Sequence, residues 1–338
     1  MIQTGAMLPT DVTLPPLDDL LGTARVVTLP LVTRFRGIEL REAMLLEGPN
    51  GWTEFSPFTD YGDDEASQWL AAAVDFGWGP THPLLRESVR VNATLPAVAP
   101  GEVAHILDRF PGCRTVKIKV ADFGQVLADD VARVAVARQY LGPEGRIRID
   151  ANAGWTVDEA EKAIHALAGF DLEYVEQPCA TVEDLSQVRQ RVKYMGIPIA
   201  ADESVRKAAD PLAVARAGAA DILVIKAQPL GGITAALAII AKAGLPAVVS
   251  SALDTSVGIS MGLHLAAAIP QLEFDCGLST ASLLAMDVTD APLLPVDGQL
   301  PVQRITPSTA LLASQAATAD RTNWWLARLE RCYELLTV

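Results

Sequence analysis

Five apolar runs in the middle of this 338-residue chain carry a charge at or near their ends. Lys117 and Lys119 stand two apart in TVKIKV (115–120), so both side chains leave the same face of a strand. Asp150 closes RIRID, Glu176 closes LEYVE, Asp202 closes IPIAAD and Lys226 closes DILVIK, at successive intervals of 26, 26 and 24 residues. A single charge at a strand end is ordinarily solvated or salt-bridged. Aligned at one end, three carboxylates repel each other, and at least one is pushed towards its neutral form unless a cation joins them. Three oxygen donors with room for water and substrate oxygens suit a hard octahedral ion, best Mg²⁺, with Mn²⁺ able to substitute. Lysines to either side would flank a substrate held there. That arrangement suits removal of a weakly acidic proton beside a carboxylate, with the metal stabilising the enediolate.

The elements that must position these groups form a repeat. β-Branched runs recur at 89–95, 115–120, 146–151, 172–177, 197–202, 221–227, 246–252 and 272–277, with helical patterns at 126–141, 157–168 and 182–195 between them. Gly112, Gly142, Gly169, Gly196, Gly218 and Gly244 each follow a helical stretch and precede a strand, where a residue with no Cβ can take positive φ. Strand and helix alternating eight times predict parallel strands with right-handed crossovers, closed into a (β/α)8 TIM-type barrel. The charges then fall at the C-terminal mouth, where barrel enzymes keep their chemistry. An open doubly wound sheet is the rival, but no GxGxxG follows a first strand.

The flanks break the repeat. Residues 88–285 are expected to form the barrel, with 1–87 and 286–338 joining as an α+β capping domain. Strand-like segments at 26–35 and 39–48 surround a turn at Gly37, and a helical pattern covers 64–76. The tail adds a strand-turn pair at 293–302 and a helix at 323–336, in which Trp324 and Trp325 read as packing anchors.

Composition narrows the function. Lys and Arg number 27 against 41 Asp and Glu, a net charge of −14, which disfavours nucleic acid as a partner. No apolar run reaches the roughly 18–20 residues of a membrane span, and residues 1–12 lack the basic start and apolar core of a secretory leader. Cys113, Cys179, Cys276 and Cys332 show no metal spacing and read as small buried hydrophobes in a reducing compartment. His82, His105, His165 and His264 are scattered, and Ser279 sits in GLSTA, one residue short of GxSxG; zinc and serine-hydrolase chemistry are not expected. The expectation is a cytoplasmic enzyme for a small anionic substrate, without membrane partners and with a monomer plausible.

KIK (117–119), DANAGW (150–155), EQP (176–178), DES (202–204) and Lys226 together resemble the enolase superfamily, in the branch with a KxK motif on the second barrel strand. Within it, residues 33–58 resemble the o-succinylbenzoate synthases of menaquinone biosynthesis. The resemblance implies that Asp150, Glu176 and Asp202 are the metal ligands, with Asn152 and Glu203 beside them. It implies that Lys119 is the base, that Lys117 next to it eases loss of its proton, and that Lys226 opposite steadies the enediolate. Lys119 would remove the proton α to the carboxylate and return it to the departing hydroxide on the same face. Ser250, Ser251 and Gly277, at the ends of the last two strands, and Arg34 and Arg36, on a capping-domain turn, are candidate substrate contacts. An N-acylamino acid racemase or dipeptide epimerase would keep all these motifs, and a non-catalytic barrel that only binds is the remaining alternative.

Overall fold

The chain is described by a computed structural model over residues 12–207 and 210–337; residues 1–11, most of the stretch read for a leader, lie outside the described residues. After helix α1 (Leu17–Thr23), an antiparallel sheet is built from β1 (Arg25–Phe35), β2 (Ile38–Gly48) and β3 (Gly51–Phe55). The β1–β2 turn is Arg36–Gly37, with φ of 51° and 80°, the paired left-handed conformations that match the twist of a tight hairpin. Helix α2 (Asp63–Trp78) follows and buries Trp69, Leu70 and Phe76.

Seven strands then pair in chain order as one parallel sheet. They are β5 (Ala93–Leu95), β6 (Thr115–Lys119), β7 (Arg146–Asp150), β8 (Leu172–Glu176), β9 (Ile199–Ala201), β10 (Ile222–Ile225) and β11 (Ala247–Val249). Helices α3 (Val103–Leu107), α4 (Leu127–Leu141), α5 (Val157–Leu167), α6 (Val182–Val192), α7 (Glu203–Arg206), α8 (Ala213–Arg216) and α9 (Ile233–Ala243) fill the crossovers, and α10 (Ser256–Ala268) follows β11. Val116, Ile118, Ile147, Ile149, Leu223 and Ile225 belong to the main core, while Tyr174, Ala200, Ile222, Val224 and Val248 cluster separately with Phe274. Two apolar faces are what a parallel sheet wrapped by crossover helices requires. This is an α/β barrel architecture with an N-terminal cap.

Three expectations are corrected. The first barrel run, 89–95, is split: β4 (Ser88–Arg90) leaves the parallel sheet and pairs with β12 (Gln299–Pro301), so the tail's strand lies against the entry to the barrel, away from the cap sheet. The run 272–277 forms no regular strand, and within it Phe274 packs edge-on against Tyr174 at 6.0 Å. Its last residues still bridge the β11 edge to the chain just before β5. The Cys276 amide donates to the Arg90 carbonyl and the Gly277 amide to the Val249 carbonyl, both at 2.8 Å. Finally, Gly112, Gly142, Gly196, Gly218 and Gly244 take positive φ as expected, but Gly169 does not; Asp171, at φ 54°, makes that turn.

The tail returns to the cap through α11 (Thr309–Ser314) and α12 (Ala319–Leu336). Trp325, fully buried, meets Phe55 edge-on at 5.8 Å and donates its indole N–H to Glu42 at 2.9 Å. All four cysteines are free; three are buried and Cys113 is half-buried. Among the described residues no helix is long and apolar enough to cross a membrane.

Candidate active site

Strand register brings the charges to one level. Lys119 lies opposite Asp150 on β7, Asp150 opposite Glu176 on β8, and Glu176 opposite Ala200 on β9, two residues before Asp202. Asp150, Glu176 and Asp202 are fully buried, and each is paired. Lys119 Nζ lies 2.5 Å from Asp150 Oδ2 and donates to Asn152 Oδ1 at 2.6 Å. Lys117 Nζ reaches both Glu176 oxygens, at 2.9 and 3.1 Å, and lies 3.5 Å from Asp150 Oδ2. Lys226 Nζ donates to Asp202 Oδ2 at 2.5 Å, and Arg206 Nε to Asp202 Oδ1 at 3.0 Å.

The electrostatics follow from these contacts. Burial alone would raise Asp150, but the Lys119 and Lys117 ammoniums outweigh it and hold the carboxyl well below the usual range. Asp202 is likewise lowered to about 2, burial being overcome by Lys226 and Arg206. Glu176 moves the other way, to about 7, under burial and the neighbouring Asp150 charge, against Lys117. Burial opposes the Lys117 charge, yet Glu176 and Asp150 keep it firmly protonated. Lys117 therefore does not act on Lys119 as a bare like charge; Asp150 Oδ2 lies within ion-pair distance of both.

These lysines already supply counter-charge that the sequence argument assigned to a metal. Among the described residues no three Asp, Glu, His or Cys side chains gather about one point; each strand-end carboxylate is turned to an ammonium. The donor set nonetheless fits a hard divalent ion. It consists of three buried carboxylates at the ends of adjacent strands, one of them held towards neutrality by burial and by its neighbour's charge, which is the strain a cation would relieve.

An inner cavity of about 50 Å³ lies over the lysines, lined among others by Phe35, Lys117, Lys119, Asn152, Arg206 and Lys226. Phe35, Arg36, Lys119 and Asn152 also line an outer groove of about 1160 Å³ that runs between the cap hairpin and the loops after β5–β8. Ser250 and Ser251 line the inner cavity and Arg34 only the outer groove. Arg36 lines both, with its guanidinium 4.2 Å from the Phe58 ring centre and 5.1 Å from that of Tyr61. Glu203 accepts from Asn152 at 3.2 Å and Arg206 at 2.7 Å. Gly277 is not among the lining residues. Its missing Cβ leaves room for Ser250, whose Oγ would otherwise be met at 2.5 Å, and its carbonyl accepts from Ser251 at 2.8 Å. The glycine serves the junction of Ser250 with the 276–277 bridge.

Sequence reasoning missed several members. Arg206 follows Asp202 by four residues on a short helix, a spacing that would have flagged it. Gln177, at φ 38°, accepts from the Asp202 and Ser204 amides at 2.9 and 3.2 Å and so fixes the end of β9. Arg133 on α4 donates to the Lys119 carbonyl at 2.9 Å, and its partner Asp130 accepts the amide of Ala121 at 3.1 Å.

Comparison with known proteins bears on this site. Residues 102–307 match the family described as enolase C-terminal domain-like, and residues 26–77 the enolase N-terminal domain-like family. The chain is 51% identical over 331 residues to an o-succinylbenzoate synthase of Mycobacterium ulcerans, covering 98% of each protein. It is 52% identical over 324 residues to one of Mycobacterium tuberculosis, covering 96% of this chain and 97% of the relative. In fold it is similar to muconate lactonizing enzyme from Pseudomonas putida, with a TM-score of 0.72 at 20% identity over 87% of this chain and 98% of that one. The L-Ala-D/L-Glu epimerase of Bacillus subtilis gives 0.70 at 23% identity, over 82% and 94%.

Proposed function

The chain belongs to the enolase superfamily, with the o-succinylbenzoate synthases, and from that premise we propose that it is itself such a synthase. It would convert 2-succinyl-6-hydroxy-2,4-cyclohexadiene-1-carboxylate to o-succinylbenzoate and water in menaquinone biosynthesis, as a cytoplasmic lyase. The observation that carries this reading is identity of about half over nearly the full length of both proteins. In architecture we read residues 88–285 as a complete (β/α)8 barrel, supported by the bridges from Gly277 to the end of β11 and from Cys276 to the chain just before β5, with 1–87 and 286–338 as flanking cap segments.

Asp150, Glu176 and Asp202 would hold Mg²⁺, or Mn²⁺ in its place. When bound, the ion supplies positive charge to the substrate's carboxylate oxygens as the α-proton leaves. Everything else is done by side chains. Lys119, as the free amine, takes the α-proton and then returns it to the hydroxyl that departs from the neighbouring ring carbon. The C–H and C–O bonds broken are balanced by the new ring double bond and by water. Lys226, on the other side of the cavity, faces the enediolate charge as a fixed ammonium, with Asp202 orienting it. Asn152 holds Lys119 from one side. Arg36, on its aromatic support and with no carboxylate within ion-pair distance among the described residues, suits the second carboxylate of a diacid. Ser250 and Ser251 suit its succinyl arm. Two lysines lining one cavity also favour a second reading, racemisation of an N-acylamino acid by proton exchange between Lys119 and Lys226.

Dehydration and racemisation assayed side by side decide between them. The expected result is dehydration that disappears on exhaustive chelation and returns with Mg²⁺ or Mn²⁺. Absence of dehydration, or full activity without a divalent ion, would overturn the reading.

A further inference from the structure

At one place away from the lysines the cap reaches into the barrel. Arg41, on β2, is buried; its Nε donates to the Leu253 carbonyl at 3.0 Å, and its Nη2 to the carbonyl and hydroxyl of Ser56 at 2.5 and 3.0 Å. Glu54, on β3, is buried too. Its Oε2 accepts from the Thr255 amide at 3.1 Å, the Thr255 hydroxyl at 2.5 Å and the Gly258 amide at 3.0 Å, while Oε1 accepts from Ser56 at 2.5 Å. A carboxylate from the cap thus satisfies amides in the first turn of α10, which would otherwise lack partners. The approach depends on Gly258, where a Cβ would come within 2.8 Å of Glu54 Cδ and of Asp254 Cβ.

At the first of these anchor points the chain is strained. Leu253 has φ of 63°, a conformation that non-glycine residues hold only when their surroundings impose it. Ser250, Ser251, Ala252 and Leu253 form one wall of the inner cavity. None of the latch atoms on Arg41 or Glu54 lines that cavity. Phe58 does, and its ring centre lies 4.5 Å from the Arg41 guanidinium and 4.2 Å from that of Arg36.

We propose that Arg41 and Glu54 are positioning residues, a latch by which the cap sets the 250–253 wall that receives the part of the substrate remote from its reacting carboxylate. Lost anchoring would let Leu253 relax to ordinary φ and reshape the wall, leaving the lysines and carboxylates as they are. The wall's occupant, a succinyl arm, rests on the reading under Proposed function; the latch itself does not.

Two variants test it without touching a cavity-lining residue. Arg41→Lys keeps the charge but not the fork that holds Leu253 and Ser56 together, and Gly258→Ala drives Glu54 from the start of α10. Amide exchange in the ligand-free protein should quicken by about tenfold or more across 252–258 in both variants, with 115–176 unchanged. Kd for o-succinylbenzoate should rise about tenfold, while Kd for benzoate, which lacks the arm, stays the same. Thermal melting identifies a variant that has not folded, and the second then decides. Unchanged exchange in folded variants, or equal weakening of both ligands, would overturn the latch. A wild-type protein that binds neither ligand counts against the synthase reading, and the exchange measurement still decides the latch.

Discussion

Lys119 and Lys226 differ in what each holds. Lys119 is tied to Asp150 and Asn152, whereas Lys226 shares Asp202 with the permanently charged Arg206. Under the proposed function the first gives and takes the proton and the second supplies charge. Lys119→Ala should therefore abolish dehydration, removing acid and base roles worth about 10²–10⁴ each. Lys226→Arg keeps a cation that cannot serve as base; it should retain measurable dehydration and lose any racemisation. Solvent deuterium incorporation at the substrate α-carbon, followed with rates for both variants, checks this. A near-normal Lys119→Ala beside a folded but inactive Lys226→Arg would reverse the roles. At this scale the sequence was informative because each charge closes an apolar run at the repeat's own interval. Arg41 and Glu54 carried no such signal: their partners Leu253 and Thr255 lie about two hundred residues away, and only the packed cap brings them together.

Among the elements, β6 to β11 were legible as runs buried on both faces, whereas the first and last barrel runs were read as whole strands and are not. Both are held by Arg148. It projects from β7 into the barrel and is fully buried. A register shift between β7 and β8 lets Glu173 meet Arg148 Nε at 2.5 Å. Arg148 Nη1 donates to Asn92 Oδ1 at 3.0 Å and to the Asp275 carbonyl at 2.6 Å. One guanidinium thus ties β7 to the residue before β5 and to the irregular segment before Cys276. Periodicity reports side-chain faces, so it cannot show that a strand-like run is held instead by a side chain from another strand. Arg148→Ala should cost about 3–5 kcal/mol, the range for breaking a buried pair, measured by urea unfolding. It should also quicken amide exchange at Cys276 and Gly277. A loss below about 1 kcal/mol would mean that the two backbone bridges close the sheet unaided.

Cap and barrel are joined through a buried cluster with two carboxylates, Glu54 and Asp254, around the Arg41 guanidinium, and that joint should register in the stability of the whole molecule. Burial, with the Asp254 charge added and only partly offset by Arg41, raises Glu54 from 4.5 to about 7. The folded chain then binds this proton more tightly than the unfolded chain does. Its stabilising contribution is complete below pH 4.5 and is lost as pH rises through 7. At about 1.4 kcal/mol per pH unit between the two values, the loss is on the order of 3 kcal/mol. Glu54→Gln keeps the shape of the group without its titration, and it leaves Asp254 as the only anion beside Arg41 in this cluster. Wild type and variant should therefore have similar urea midpoints near pH 5, with the variant pulling ahead by pH 8.5. Parallel curves over that range would show that Glu54 keeps an ordinary carboxyl affinity and that the Arg41 charge fully offsets its burial.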